Sequence, residues 1–121
     1  MKKMLIIEDD ELTQKIYKRL FRNEFELDFA ISSEEYHNKY DSKKYDIVII
    51  DISLKGTKNG IEMIKDFKNN PLFEGIPLLC ITAHALIVDK VNALNAGADI
   101  YLTKPIDNNV LRNTVASLLK K

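Results

Sequence analysis

The chain has 121 residues, the size of one ordinary domain and too short to bury two separate cores. Lysine plus arginine equals aspartate plus glutamate at 18 each, so no excess charge draws the whole molecule toward nucleic acid or anionic lipid. The single cysteine, Cys80, excludes an internal disulfide, and no apolar run nears the roughly 18 residues of a membrane span. The opening MKKMLIIEDD has a short basic start, but its apolar stretch runs only from Met4 to Ile7 before acids interrupt it, too short for a signal peptide. These readings predict a cytoplasmic protein with neither nucleic acid nor membrane as its partner, and a buried, inert thiol at Cys80.

In chain order, KMLII (3–7) opens as an apolar run short enough for a strand, and Glu8, Asp9 and Asp10 stop it. Leu12, Ile16 and Leu20 recur at helical spacing and predict a first helix. FELDFA (25–30) reads as a second strand. Ser33 to Asp41 reads as a helix, with Tyr36 and Tyr40 marking one face and Ser32 with Glu35 matching a capping box. DIVII (46–50) is a third strand running into Asp51. Ile61, Ile64 and Phe67 predict a third helix, which Asn69, Asn70 and Pro71 end. IPLLCI (76–81) is a fourth strand ending at Thr82, and Ile87, Val91 and Leu94 stripe a fourth helix that Gly97 follows. DIYL (99–102) is the fifth strand, running into Thr103, Lys104 and Pro105. Asp107 then caps a last helix striped by Leu111, Val115 and Leu118.

Strand and helix alternate five times, which predicts an α/β fold: a parallel sheet with right-handed crossovers and helices on both faces. Such open sheets bind ligands at the carboxyl ends of their strands. Those ends carry Glu8, Asp9 and Asp10, then Asp51, Thr82 and finally Lys104. Carboxylates crowded on one rim repel and ask for a cation, and hard oxygen ligands select Mg²⁺, or Mn²⁺ in its place. A metal of that kind takes one or two carboxylates plus phosphate oxygens, with Lys104 and Thr82 positioned to contact a phosphoryl group.

Each residue also has a plain structural reading. Glu8-Asp9-Asp10 alone is an acid cluster at a helix N-terminus. Thr82 and Lys104 alone are a strand-end hydroxyl and a solvated lysine, and Tyr101 is a core aromatic whatever else it does. His37 and His84 read as surface residues. Gly56 and Gly60 match no nucleotide-binding spacing, so no ATP site is predicted.

The motifs IIEDDE, DIVIIDISL, CITAHA and DIYLTKPID, in this order along the whole chain, resemble the receiver domain of two-component response regulators. The resemblance implies an open five-stranded sheet, (βα)5 doubly wound, with the flavodoxin-like strand order 2-1-3-4-5, and one receiver domain over residues 1–121, standing alone. It implies Asp51 as phosphoacceptor, Asp9 as a direct Mg²⁺ ligand, Glu8 as a ligand through water and Ser53 as a backbone-carbonyl ligand. Thr82 and Lys104 match the phosphate-sensing hydroxyl and lysine, Tyr101 the switch aromatic, and Lys104-Pro105 a cis peptide.

On that resemblance the chain is no enzyme beyond its own phosphorylation and dephosphorylation. The phosphoryl donor would be a sensor histidine kinase or histidine phosphotransfer protein, and a downstream protein would read the face built by helix four, strand five and helix five. Two alternatives stand beside it, a receiver module of a hybrid histidine kinase and a phosphorylation-independent interaction scaffold. After Asp51 the sequence departs from the family pattern: Lys55 stands where many receivers have proline, and the loop to Gly60 looks one residue longer.

Overall fold

Five strands alternate with five helices in the computed structural model, which describes residues 1–51, 60–83 and 87–120. They run β1 (Lys2–Ile7), α1 (Glu11–Phe21), β2 (Phe25–Ala30), α2 (Ser33–Tyr40), β3 (Ile47–Asp51), α3 (Gly60–Asn69), β4 (Leu78–Thr82), α4 (Ile87–Ala96), β5 (Ile100–Thr103) and α5 (Asn108–Leu119), with a 3₁₀ turn (Pro71–Phe73) before β4. All strand pairs are parallel and the sheet order is β2-β1-β3-β4-β5, as expected from the sequence.

The central strands are apolar at successive positions because both sheet faces are covered. Leu5, Ile7, Val48, Ile50, Leu78 and Cys80 pack on one face with Tyr36, Met63, Ile64, Phe67 and Ala93 of α2, α3 and α4. Their alternating neighbours Met4, Ile6, Ile47, Ile49, Leu79 and Ile81 pack on the other with Tyr17 and Phe21 of α1 and Leu111, Val115 and Leu118 of α5. Cys80 is fully buried and its thiol is pushed up to about 12 by burial, with Asp51 adding to the rise; it stays protonated and unreactive.

Helix starts follow the capping chemistry read from the sequence. Asp10 accepts from Thr13 N at 2.9 Å and from its hydroxyl at 2.6 Å, and those two bonds hold the Asp10 carboxyl below its ordinary value. Ser32 accepts from Glu35 N at 3.2 Å, while the Glu35 carboxylate reaches past the cap to Ile31 N at 3.0 Å. Asp107 accepts from Asn109 N and Val110 N. Gly97 ends α4 with φ +126°, a conformation L side chains avoid, and an added Cβ there would meet the Lys68 stem.

The expected stripe of α4, and Leu12 and Ile16 but not Leu20 of the expected stripe of α1, face away from the core. In α1, Leu12 is 67% exposed and Ile16 is also exposed, and Tyr17 and Phe21 supply the buried contacts. In α4, Ile87, Val88, Val91 and Leu94 are all exposed, and Ala93 is the buried residue. The inward positions of α4, half-buried Asp89, Ala93 and half-buried Ala96, lie two residues from the apolar stripe, roughly 200° around the helix. Small side chains let α4 approach its neighbours closely, which leaves its larger apolar residues facing solvent.

Candidate functional site

Parallel register carries the chemistry to one edge. Ile7 pairs with both Ala30 and Ile50, so Glu8, the residue just after β1, stands beside Asp51, the last of β3. Asp51 pairs with Ile81, which puts Thr82 one step further along β4, and Thr82 pairs with Thr103. Lys104 follows through a cis peptide to Pro105 and donates its backbone N–H to Thr82 O at 2.8 Å.

The acids at this edge divide into two jobs. Asp10 caps α1, whereas Glu8, Asp9 and Asp51 bring carboxylate oxygens within 4.8 Å of one another. The acid triplet is thus divided: Asp10 caps a helix, while Glu8 and Asp9 join Asp51 in a group that could hold a metal ion. Glu8 and Asp51 are buried, at 2% and 6% exposure, Thr82 is fully buried, and Asp9 is half-buried.

Lys104 supplies the positive charge. Its Nζ donates to Glu8 Oε1 at 2.9 Å and to Asp51 Oδ2 at 3.4 Å, and its own affinity for the proton is raised by Glu8 and Asp51 against the opposing effect of burial. One ammonium does not neutralise the cluster. Burial, offset in part by the Lys104 hydrogen bond and reinforced by the Asp51 charge, lifts Glu8 from 4.5 to about 7. Three hard oxygen donors around a residual negative charge fit a small divalent cation.

Two residues that the sequence reading passed over shape the site. The Gln14 side-chain amide donates to the backbone carbonyl of Glu8 and ties the first turn of α1 to the end of β1. Tyr17 packs nearby on α1, and its phenol is pushed up to about 12 by burial, with Lys104, Glu8 and Asp51 also acting on it. A Gln in the first helical turn is the signal for the first; nothing in the spacing marks the second.

Tyr101 is half-buried, pairs with Cys80 in the sheet and packs against the core under α3 and α4. His37 is exposed on α2 and pairs with Asp41 at 3.0 Å, the surface position expected of it. Ser53, His84 and the loop from Lys55 to Asn59 lie outside the described residues.

The family model described as "Response regulator receiver domain" matches residues 4–116. The chain belongs to the response regulator receiver domain family. It is 30% identical over 118 residues to the regulatory protein VanRB of Enterococcus faecalis, covering 98% of this chain and 52% of that protein. It is 32% identical over 127 residues to hybrid signal transduction histidine kinase I of Dictyostelium discoideum, covering 98% of this chain and 7% of that one. The receiver chain thus spans about half, or much less, of the length of these curated relatives. Among solved structures, a putative response regulator from Chloroflexus aurantiacus superposes with a TM-score of 0.90 at 29% identity, over 99% of this chain and 98% of that one. No described helix of this receiver is long and apolar enough to cross a membrane.

Proposed function

We propose that this receiver accepts a phosphoryl group on Asp51 from a sensor histidine kinase or histidine phosphotransfer protein, in a Mg²⁺-dependent reaction in the cytoplasm. The observation that carries the reading is the convergence of Glu8, Asp9, Asp51 and Lys104 on one rim of the sheet. Asp9 and Asp51 would hold the metal directly, Glu8 through water and Ser53 by its carbonyl, with Mn²⁺ able to replace Mg²⁺. When bound, the metal supplies positive charge for the phosphoryl oxygens.

An Asp51 carboxylate oxygen attacks phosphorus in line with the donor's phosphorus–nitrogen bond, which breaks as the new phosphorus–oxygen bond forms. Little proton transfer is required, so positioning and charge dominate. Lys104 already lies 3.4 Å from Asp51, and releasing Glu8 lets its ammonium meet a phosphoryl oxygen. The Thr82 hydroxyl donates to another. Close to two added negative charges draw Thr82 toward the site, and Tyr101 follows into the space behind it.

A downstream protein would then read the α4-β5-α5 face. The exposed stripe of Ile87, Val88, Val91 and Leu94 on α4 supports this reading, because contiguous exposed apolar side chains mark interaction surfaces. The likeness to a hybrid histidine kinase favours a second reading, in which the same chemistry serves as the receiver module of such a kinase. Incubation with acetyl phosphate and Mg²⁺ tests both. Intact mass should rise by one phosphoryl group in the wild type and stay unchanged with chelator or in Asp51→Asn; label that survives Asp51→Asn would place the acceptor elsewhere, and a scaffold without phosphorylation would take none.

A further inference from the structure

Asp9 is the least supported acid of the rim. Lys104 Nζ and the Asp10 N–H hold the two Glu8 carboxylate oxygens at 2.9 and 3.3 Å, and Lys104 also reaches Asp51 at 3.4 Å. Among the described residues no hydrogen bond or ion pair holds the Asp9 carboxylate, although it stands with Glu8 and Asp51 in the group that could hold a metal ion. Its aim is therefore set by its own backbone.

That backbone is held on the Glu8 side. Glu8 N donates to Ala30 O at 2.9 Å, which fixes the end of β1 against β2, and the Gln14 side-chain amide donates to Glu8 O. A peptide unit is planar, so holding the Glu8 carbonyl also holds the N and Cα of Asp9. Gln14 is half-buried one turn past the Asp10 cap, and its own N–H donates to Asp10 O at 3.0 Å. Helical side chains lean toward the N-terminus, which carries the Gln14 amide back over residues 8–10. A carbonyl takes a bond only from a donor, so it is the amide nitrogen that faces Glu8. Gln14 has no proton to gain or lose at neutral pH, and it places no positive charge beside a cation site, as lysine or arginine at this position would.

We infer that Gln14 is a positioning residue of the metal site, fixing the Glu8–Asp9 peptide so that the Asp9 carboxylate meets the cation already aimed. The inference rests on the cation site proposed above and adds to it a residue that touches neither metal nor phosphoryl group. Ordering a ligand at the moment of binding costs conformational entropy, and a ligand held beforehand avoids that cost. Losing an outer-shell partner typically weakens metal binding by roughly 10- to 100-fold. Gln14 holds the backbone of a ligand rather than its carboxylate, which puts its effect at the lower end, about tenfold.

Calorimetric titration of Mg²⁺ alone into the folded protein at about pH 8 reads this directly. Gln14→Met keeps the length of the side chain and removes the donor, and should bind Mg²⁺ about tenfold more weakly than wild type. Gln14→His, neutral at about that pH and still carrying an N–H, should bring the affinity back toward wild type. If Gln14→Met does not fold, Gln14→Asn, a methylene too short to reach the carbonyl, takes its place with the same expectation. Equal affinities in wild type and Gln14→Met, or a His variant as weak as the Met variant, would overturn the inference and leave the cation site standing. A wild type that binds no Mg²⁺ would overturn the cation site itself, and the inference with it.

Discussion

Glu8→Gln isolates the electrostatic strain of the metal-free site. Glu8 is 2% exposed and sits at about 7 against an ordinary 4.5. Between those values the folded protein holds a proton that the unfolded chain has released. Its contribution to stability is therefore fully present below about 4.5 and is lost as pH rises through about 7. At roughly 1.4 kcal/mol per pH unit, the ionised side chain costs the metal-free fold about 3–4 kcal/mol above about pH 8. A glutamine has the shape of the protonated acid, and its carbonyl still accepts from Lys104. Urea unfolding in chelator should therefore find Glu8→Gln more stable than wild type by about that amount at about pH 8, and equal to it at about pH 4.5. A variant less stable than wild type at about pH 8 would show that the Lys104 ion pair outweighs burial and would refute the reasoning.

Asp9→Ala should weaken Mg²⁺ binding severely by calorimetric titration while raising the melting temperature in chelator, since it removes a repelling carboxylate; unchanged titration would remove Asp9 from the ligand set. Asp107→Ala leaves two α5 amides without their acceptor and should cost about 1 kcal/mol in chemical denaturation. Val91→Lys replaces an exposed side chain of α4 and should change stability by no more than about 0.5 kcal/mol, yet abolish co-purification of a downstream partner if α4 is part of the output face.

Much of this was legible in the chain itself. Strands buried on both faces are apolar without alternation, and DIVII and IPLLCI carry that pattern plainly. Because parallel strands present their carboxyl ends together, Glu8, Asp51, Thr82 and Lys104 fall on one rim once the strand order is known. Periodicity does not say which way a stripe faces. In α4 the small inward set with Ala93 and the large outward set with Val91 have the same period, and only packing distance separates them. In α1 the aromatic bulk of Tyr17 and Phe21 takes the core and turns Leu12 and Ile16 out. The stronger pairing of Lys104 with Glu8 than with Asp51 rests on side-chain reach across 96 residues of sequence, which no local pattern encodes. Ser53 falls outside the described residues.

A crystal structure of the protein with Mg²⁺ and beryllofluoride, a phosphoryl mimic, tests the rim as a phosphorylation site most directly. The mimic should sit on Asp51, the metal against Asp9 and Asp51 with Glu8 behind a water, and Lys104 Nζ should have moved from Glu8 to a fluorine. A mimic bound away from Asp51, or a lysine still paired with Glu8 beside a filled site, would contradict it.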